Sequence, residues 1–173
     1  GQKLCRHGMR MVIAMLLIAD ELLKYTLVTI NGAPIVKYIP LQLCSLCIII
    51  SIVHAFFRPH TTGSMYLGNF LYLIGIASGL SALLFPSWSA LPAFNLMSIH
   101  SFSAHILLLS YIVMVLSAKE IKISAKTIPV SVLALFAMAG GIYLFNIAFG
   151  TNFMYLMHIS PGSPIAGFES LGN

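Results

Sequence analysis

Two cysteines at the start of an apolar segment are the side chains best suited to chemistry. Cys44 and Cys47 lie in the stretch Pro-Leu-Gln-Leu-Cys-Ser-Leu-Cys, which begins at Pro40. The apolar run at residues 48–53 predicts a buried or lipid-facing helix. Because Pro40 suits the first turn of such a helix, we expect both cysteines on one helical face, about a turn below its start. A thiol there can act as a nucleophile, or it can be no more than a small apolar side chain.

A histidine in a later segment is the expected partner of the first thiol. Cys44 and His105 each lie four or five residues inside the predicted outer start of their segments. Their depths should therefore agree to within about a few ångströms. A nearby imidazole produces the reactive thiolate, although His105 could instead make a simple interhelical hydrogen bond. His100 is turned about 140° away on an ideal helix that starts before it, and Ser101 either orients His105 or caps the helix.

Acids and amides complete the polar residues expected at the site. Asp20 and Glu21 lie in the first segment, with Lys24 one helical turn further on. These acids either form an internal ion pair with Lys24, or orient a histidine or hold a polar headgroup. The amides expected to support the site or line its pocket are Gln42, Asn146 and Asn152.

The composition predicts an integral membrane protein. The chain has 173 residues, of which 59% are hydrophobic and 8% charged, and its mean hydropathy is +0.97. We predict a single all-α domain over residues 1–173, a polytopic membrane helix bundle with an irregular outer tail. The five predicted spans are residues 11–30, 39–57, 65–85, 100–117 and 128–149, and the tail is 150–173. The N-terminal segment does not resemble a signal peptide, and the missing initiator methionine suggests a processed or truncated product.

Small residues and aromatic anchors refine this arrangement. Gly68, Gly75 and Gly79 predict that the third helix packs closely against its neighbours. The uncharged loop at residues 86–92 carries Trp88, which suits an anchor at the level of the lipid headgroups. The beginning of the tail resembles an interfacial strand or half-helix whose polar side chains line a pocket mouth.

The basic residues predict the orientation in the membrane. With the N-terminus in the cytoplasm, seven of the nine Lys and Arg residues are cytoplasmic, Lys37 is outside, and Lys24 is within or near the membrane. The seven are Lys3, Arg6, Arg10, Arg58, Lys119, Lys122 and Lys126. The net charge of +5 is thus a topology signal for a cell-membrane protein, and a nucleic-acid partner has no support. This orientation places Cys44, Cys47, His100 and His105 in the outer leaflet, where membrane lipids are the expected partners.

Three stretches together resemble the YwaF family of small bacterial membrane proteins. They are residues 40–45, the stretch His-Ser-Phe-Ser-Ala-His at 100–105, and Asn146 followed by residues 150–156. The likeness covers nearly the whole chain. That family is similar to a eukaryotic transmembrane family in which a membrane cysteine acyltransferase remodels ether phospholipids. The resemblance implies that Cys44 is the acyl-accepting nucleophile and His105 its base.

The chain departs from the pattern of that family in two ways. The family usually has a further helix, with a histidine near its outer end, ahead of the segment that starts this chain. Either this chain is truncated or the site works without that helix. The second departure is Cys47, which creates a Cys-x-x-Cys pair that the family pattern does not lead us to expect.

Four functions remain open on the sequence. The first is an acyltransferase without cofactor or metal, in which Asn146 or Asn152 donates hydrogen bonds to the oxyanion. The second is a non-enzymatic lipid-binding or assembly protein. The third is a thiol-disulfide oxidoreductase using Cys44 and Cys47. The fourth is a metal-dependent hydrolase with Cys44, His100, His105 and an acid as ligands, although no spacing is a recognised zinc signature.

Overall fold

Five helices make up the fold. The computed structural model describes residues 2–85 and 94–159, and within these ranges it contains no strand. The helices are α1 (Gln2–Ile30), α2 (Leu43–Phe56), α3 (Thr62–Leu84), α4 (Leu96–Ser117) and α5 (Ile128–Phe149). A π-helical turn, Leu71–Gly75, lies inside α3. The prediction of an all-helical membrane bundle is confirmed.

The helices differ in their capacity to cross a membrane. Among the described residues, α3, α4 and the segment Ala125–Phe149 that contains α5 are long and apolar enough to span one. Helix α2 has 14 residues, or about 21 Å at 1.5 Å per residue, against a hydrocarbon core of about 30 Å. Helix α1 is long enough with 29 residues, but its second half carries three charged side chains. Membrane crossing by α1 and α2 stays a prediction.

Two helix starts differ from the sequence prediction. Helix α2 begins at Leu43 after Gln42, whose backbone is extended, so Pro40 precedes the helix instead of opening it. Cys44 is therefore the second helical residue and lies within the first turn. Helix α4 begins earlier than expected, at Leu96, because the Asn95 side chain accepts a hydrogen bond from the Met97 N–H at 2.9 Å and caps the helix.

The core lies where α1, α2, α3 and α4 meet. Its buried side chains include Leu17 of α1, Ile48 of α2, Leu71 of α3 and Leu108 of α4. Close packing of α3 depends on glycine, as predicted. A Cβ atom added at Gly79 would lie 3.0 Å from the nearest side-chain atom of Leu109, and additions at Gly68 and Gly75 would meet Ile121 and Ile112.

Helix α5 lies at the edge of this bundle. It packs against α3 and against the tail, while most of its apolar side chains, such as Leu133, Phe136 and Leu144, are exposed. An exposed apolar helix of this kind is suited to face lipid. It ends at Gly150, which has the left-handed φ of 62° that favours glycine.

The tail is described only in part. Its described beginning forms a single 3₁₀ turn, Phe153–Tyr155, in place of the expected strand or half-helix. Residues 160–173 and the loop that carries Trp88 lie outside the described residues.

Candidate active site

Cys44 lies in the first turn of α2. The first intrahelical hydrogen bond runs from the Leu46 N–H to the Gln42 carbonyl at 3.0 Å. The N–H groups of Leu43, Cys44 and Ser45 therefore have no intrahelical acceptor, which is usual at a helix N-terminus. The backbone N–H and the hydroxyl of Ser45 both interact with the Cys44 thiol. Cys44 is half-buried as a residue, and its thiol lies among these hydrogen-bond donors.

His105 faces this thiol from α4. Its Nδ1 donates a hydrogen bond to the Ser101 carbonyl one turn earlier. A carbonyl can only accept, so in the neutral ring the proton is on Nδ1 and Nε2 carries the free lone pair. Nε2 is buried and has no nitrogen or oxygen partner among the described residues, and the imidazole interacts with Cys44. Ser101 thus orients His105, but through its carbonyl and not its hydroxyl.

Cys44 and His105 do not lie equally far from the starts of their helices, contrary to the sequence prediction. Cys44 is the second residue of α2, whereas His105 is the tenth of α4. The two side chains meet nonetheless, because α2 starts deeper in the bundle than α4 does.

Asp20 connects α1 to α4. Its Oδ2 lies 2.7 Å from His100 Nδ1, and its Oδ1 accepts a hydrogen bond from the Ser103 hydroxyl at 2.7 Å. Because α4 starts before His100, the two histidines point to different partners, as the helical angle between them predicts. Asp20 also interacts electrostatically with His105. We call Cys44, His105, Asp20, His100 and Ser103 the thiol end.

Glu21 has a different partner from its neighbour Asp20. It forms an ion pair with Lys24, one turn along α1. The sequence left open whether these acids pair with Lys24 or orient a histidine, and each acid does one of the two. Asp20 orients a histidine, and Glu21 makes the internal ion pair.

The side-chain amide of Asn146 is hydrogen-bonded to the beginning of the tail. This side chain is 1% exposed, and its Nδ2 donates to the Phe153 carbonyl at 3.0 Å. Its Oδ1 accepts from the Thr151 hydroxyl at 2.8 Å and from the Phe153 N–H at 2.9 Å. Asn146 thus fixes the chain that leaves α5.

Gln42 and Asn152 extend this arrangement to the start of α2. Gln42 Oε1 accepts a hydrogen bond from the Met154 N–H at 2.9 Å, which holds the tail beside the Cys44 turn. Asn152 closes the tail on itself, since its Nδ2 donates to the His158 carbonyl at 2.9 Å and its Oδ1 accepts from the Met157 N–H at 3.0 Å. Between the tail and α2 lies an open pocket of about 210 Å³.

Cys47 differs from Cys44 in its environment. It is 0% exposed, belongs to the hydrophobic core, and lies 3.7 Å from the Ser78 hydroxyl. Of these two cysteines, Cys47 is fully buried, whereas Cys44 is partly exposed in the first turn of α2. In the part of the chain that the structure describes, no three His, Cys, Asp or Glu side chains converge in a way that could hold a metal ion.

Comparison with protein-family models gives a match over residues 2–170. The chain belongs to the TMEM164 family. No curated protein and no solved structure matches it. The match supports the expected resemblance at the level of a TMEM164-like membrane family, while the YwaF assignment and a bacterial source stay predictions.

This TMEM164-family chain has a second buried polar cluster, which was not predicted from the sequence. Arg10 is 1% exposed, and its Nη1 donates a hydrogen bond to the Glu120 carboxylate at 3.1 Å. Its other terminal nitrogen donates to three carbonyls at the C-terminal end of α2, those of His54, Ala55 and Phe57. These carbonyls carry the negative end of the helix dipole, so a cation suits them.

His54 completes that cluster. Its Nδ1 lies 2.7 Å from the Tyr111 hydroxyl and its Nε2 lies 3.0 Å from the Ser64 hydroxyl. We call Arg10, Glu120, His54, Tyr111 and Ser64 the arginine end. The available signal was a histidine inside the second predicted span, since a polar residue there needs partners. From the sequence alone, Arg10 indicates only the orientation in the membrane.

Proposed function

We propose that this protein is a membrane-embedded acyltransferase that acts on lipid esters through Cys44 and His105. The observation that carries the proposal is the orientation of the His105 ring. Its Nδ1 is bonded to the Ser101 carbonyl, and the buried Nε2 is left to take a proton from the thiol. A cysteine nucleophile, an adjacent base and a group that orients the base are the parts that acyl transfer requires.

The first half-reaction would transfer an acyl chain from a lipid to the enzyme. His105 Nε2 takes the Cys44 proton, and the thiolate attacks the ester carbonyl. The C–O bond of the tetrahedral intermediate then breaks, and the departing alkoxide takes the proton from the imidazolium. The products are a lysolipid and an acyl-cysteine thioester. Asp20, which interacts with His105, favours the imidazolium formed in between.

The second half-reaction would return the acyl chain to a different lipid. His105 takes a proton from the acceptor hydroxyl, whose oxygen attacks the thioester carbonyl. The C–S bond breaks and the proton passes from the imidazolium to the departing thiolate. The enzyme is regenerated, and the kinetics are ping-pong.

The oxyanion donors suggested by the structure differ from those expected from the sequence. Asn146 and Asn152 already hold the tail in place. The N–H groups of Leu43, Cys44 and Ser45 have no helical acceptor and belong to the turn that carries the nucleophile, so they are better candidates to bind the oxyanion. They also lie at the positive end of the α2 dipole.

The charge distribution supports a location for this chemistry. Seven Lys and Arg residues lie in segments that a cytoplasmic N-terminus places inside, against Lys37 outside. This orientation puts the thiol end toward the outer leaflet, with the arginine end toward the cytoplasm. Because α2 is short, Cys44 would lie below the membrane surface, within reach of a lipid ester.

Intact mass is the measurement that tests the proposal. Purified protein is incubated with defined phospholipids, and its mass is compared with and without hydroxylamine, which cleaves thioesters. We expect a gain of one acyl chain that hydroxylamine removes. Cys44→Ala should gain none, whereas Cys47→Ser, the matched control one turn away, should behave as the parent does.

The same experiment separates the alternatives. If folded protein gains no acyl chain from any phospholipid, the acyltransferase proposal fails and non-enzymatic lipid binding takes its place. If the protein instead loses two mass units and a reductant restores them, Cys44 and Cys47 form a disulfide, and the oxidoreductase alternative is supported. That result is disfavoured by the full burial of Cys47.

A further inference from the structure

The pocket beside α2 lies next to the proposed nucleophile but does not include it. Its lining residues are Lys37, Gln42, Gly150, Thr151, Asn152 and Phe153. Gln42 is two residues before Cys44, so the pocket opens at the turn that carries the thiol. A site that encloses a drug-sized ligand usually has roughly 300–1,000 Å³. At about 210 Å³, this pocket suits a small polar group and not a whole lipid.

The polar lining of the pocket favours an anion. Lys37 is the charged member, and it forms no ion pair with any residue that the structure describes. Gln42 uses its carbonyl oxygen to hold Met154, which leaves its side-chain NH₂ group as a donor. The positive end of the α2 dipole adds to the potential from Lys37. No acidic side chain lines the pocket.

The pocket wall is fixed before any ligand binds. Hydrogen bonds hold the tail from two sides, from Asn146 in α5 and from Gln42 just before α2. Met154 and Tyr155 have φ values of 55° and 51°, a left-handed conformation that is costly for side chains of this size. The surrounding hydrogen bonds maintain that conformation, so a ligand would pay little entropy to order the wall.

We propose that this pocket binds the phosphate of a glycerophospholipid headgroup, with Lys37 as its cationic contact. The proposal rests on the proposed acyltransferase function, whose lipid ester it would place beside Cys44. A phosphate diester carries one negative charge and oxygen acceptors, which match an ammonium group and amide donors. Lys37 is then a specificity-determining residue that distinguishes phospholipids from neutral glycerides.

Equilibrium binding to Cys44→Ala protein tests the pocket without any acyl transfer. The probes are dioctanoyl phosphatidylglycerol, dioctanoylglycerol without phosphate, and glycerol 3-phosphate without acyl chains. Lys37→Gln should raise the Kd for the phospholipid about twofold to fivefold, because an exposed charge pair contributes modestly. It should leave the Kd for dioctanoylglycerol unchanged, and Lys37→Arg should restore phospholipid binding. Lys126→Gln, an exposed lysine at the other end of the bundle, should have no effect.

Two results would overturn the proposal. One is an equal phospholipid Kd for the Cys44→Ala protein and its Lys37→Gln variant. The other is glycerol 3-phosphate binding as tightly as the phospholipid with the same dependence on Lys37, which would identify a site for a soluble phosphate ester. If phospholipid binding depends on Lys37 but the parent protein forms no acyl adduct, the phosphate site is supported and the acyltransferase proposal is wrong. If the parent protein forms the acyl adduct but phospholipid binding does not depend on Lys37, the acyltransferase proposal is supported and the phosphate site is wrong.

Discussion

The thiol end and the arginine end are built from similar side chains but differ in how their histidines are bonded. Each contains a buried histidine, a hydroxyl and an acid, and each connects several helices. At the arginine end both ring nitrogens of His54 are bonded to hydroxyls. At the thiol end His105 has one nitrogen bonded to a carbonyl and the other directed at a thiol.

This difference separates a structural role from a chemical one. A histidine with two fixed hydrogen bonds stabilises the packing of its neighbours but has no lone pair available for a substrate. A histidine with one fixed hydrogen bond is oriented and can still exchange a proton. The arginine end should therefore determine stability and the thiol end activity.

The largest effect on stability is expected at Arg10. Arg10→Leu leaves the buried Glu120 carboxylate and the carbonyls at the end of α2 without their cation, so the free energy of unfolding should fall by about 3–5 kcal/mol. Unfolding in mixed detergent micelles would measure this. Arg58→Leu, which changes an exposed arginine, is the control and should have little effect. A small loss for Arg10→Leu would contradict the structural role of this end.

The two histidines provide the sharpest test of the comparison. His105→Gln should lower the rate of acyl-adduct formation by about 10²–10⁴, because the thiol loses its base, and leave unfolding nearly unchanged. His54→Gln should have the opposite pattern, with normal adduct formation and an unfolding free energy lower by about 1–3 kcal/mol. Burst kinetics followed by mass, together with unfolding of the same samples, would measure both. Matching profiles for the two variants would refute the division of roles.

Asp20 should have a smaller effect on the rate. Asp20→Asn keeps the size of the side chain but removes the charge that interacts with His105, and we expect adduct formation to slow about tenfold. The adjacent Glu21→Gln is a matched control, since Glu21 pairs with Lys24 and should leave the rate unchanged. Equal rates for both variants would limit Asp20 to connecting α1 with α4.

The smallest expected difference concerns two serines. Ser64→Ala leaves one nitrogen of the buried His54 unpaired and should lower the unfolding free energy by about 1–3 kcal/mol. Ser103→Ala removes one of two contacts to Asp20 at a half-buried site, so the loss should be about 1 kcal/mol or less. Parallel unfolding curves would show whether the arginine end is the more sensitive. The reverse order would count against that expectation.

The membrane class and the helical fold could be predicted because they depend on local composition. Apolar segments long enough to span a membrane can be identified from hydropathy alone, and the structure confirms an all-helical bundle. Close packing at Gly75 and Gly79 was also predictable, because small residues spaced along one helix indicate a close neighbour. The predicted helix starts were less accurate. Pro40 favours the first turn of a helix, but the backbone of Gln42 is extended and α2 begins only at Leu43.

The partner of each polar side chain was decided by tertiary structure. The sequence suggested Cys44 and His105 as a pair, and the structure brings them together from helices that start at different depths. It could not assign His100 to Asp20 or Arg10 to the end of α2, because those contacts join residues that are 80 and 44 positions apart. Each residue turns a helix by about 100°, so which side chains face one another depends on how the helices rotate and slide as they pack. Hydropathy records only that a segment is apolar, whereas packing determines what it contacts.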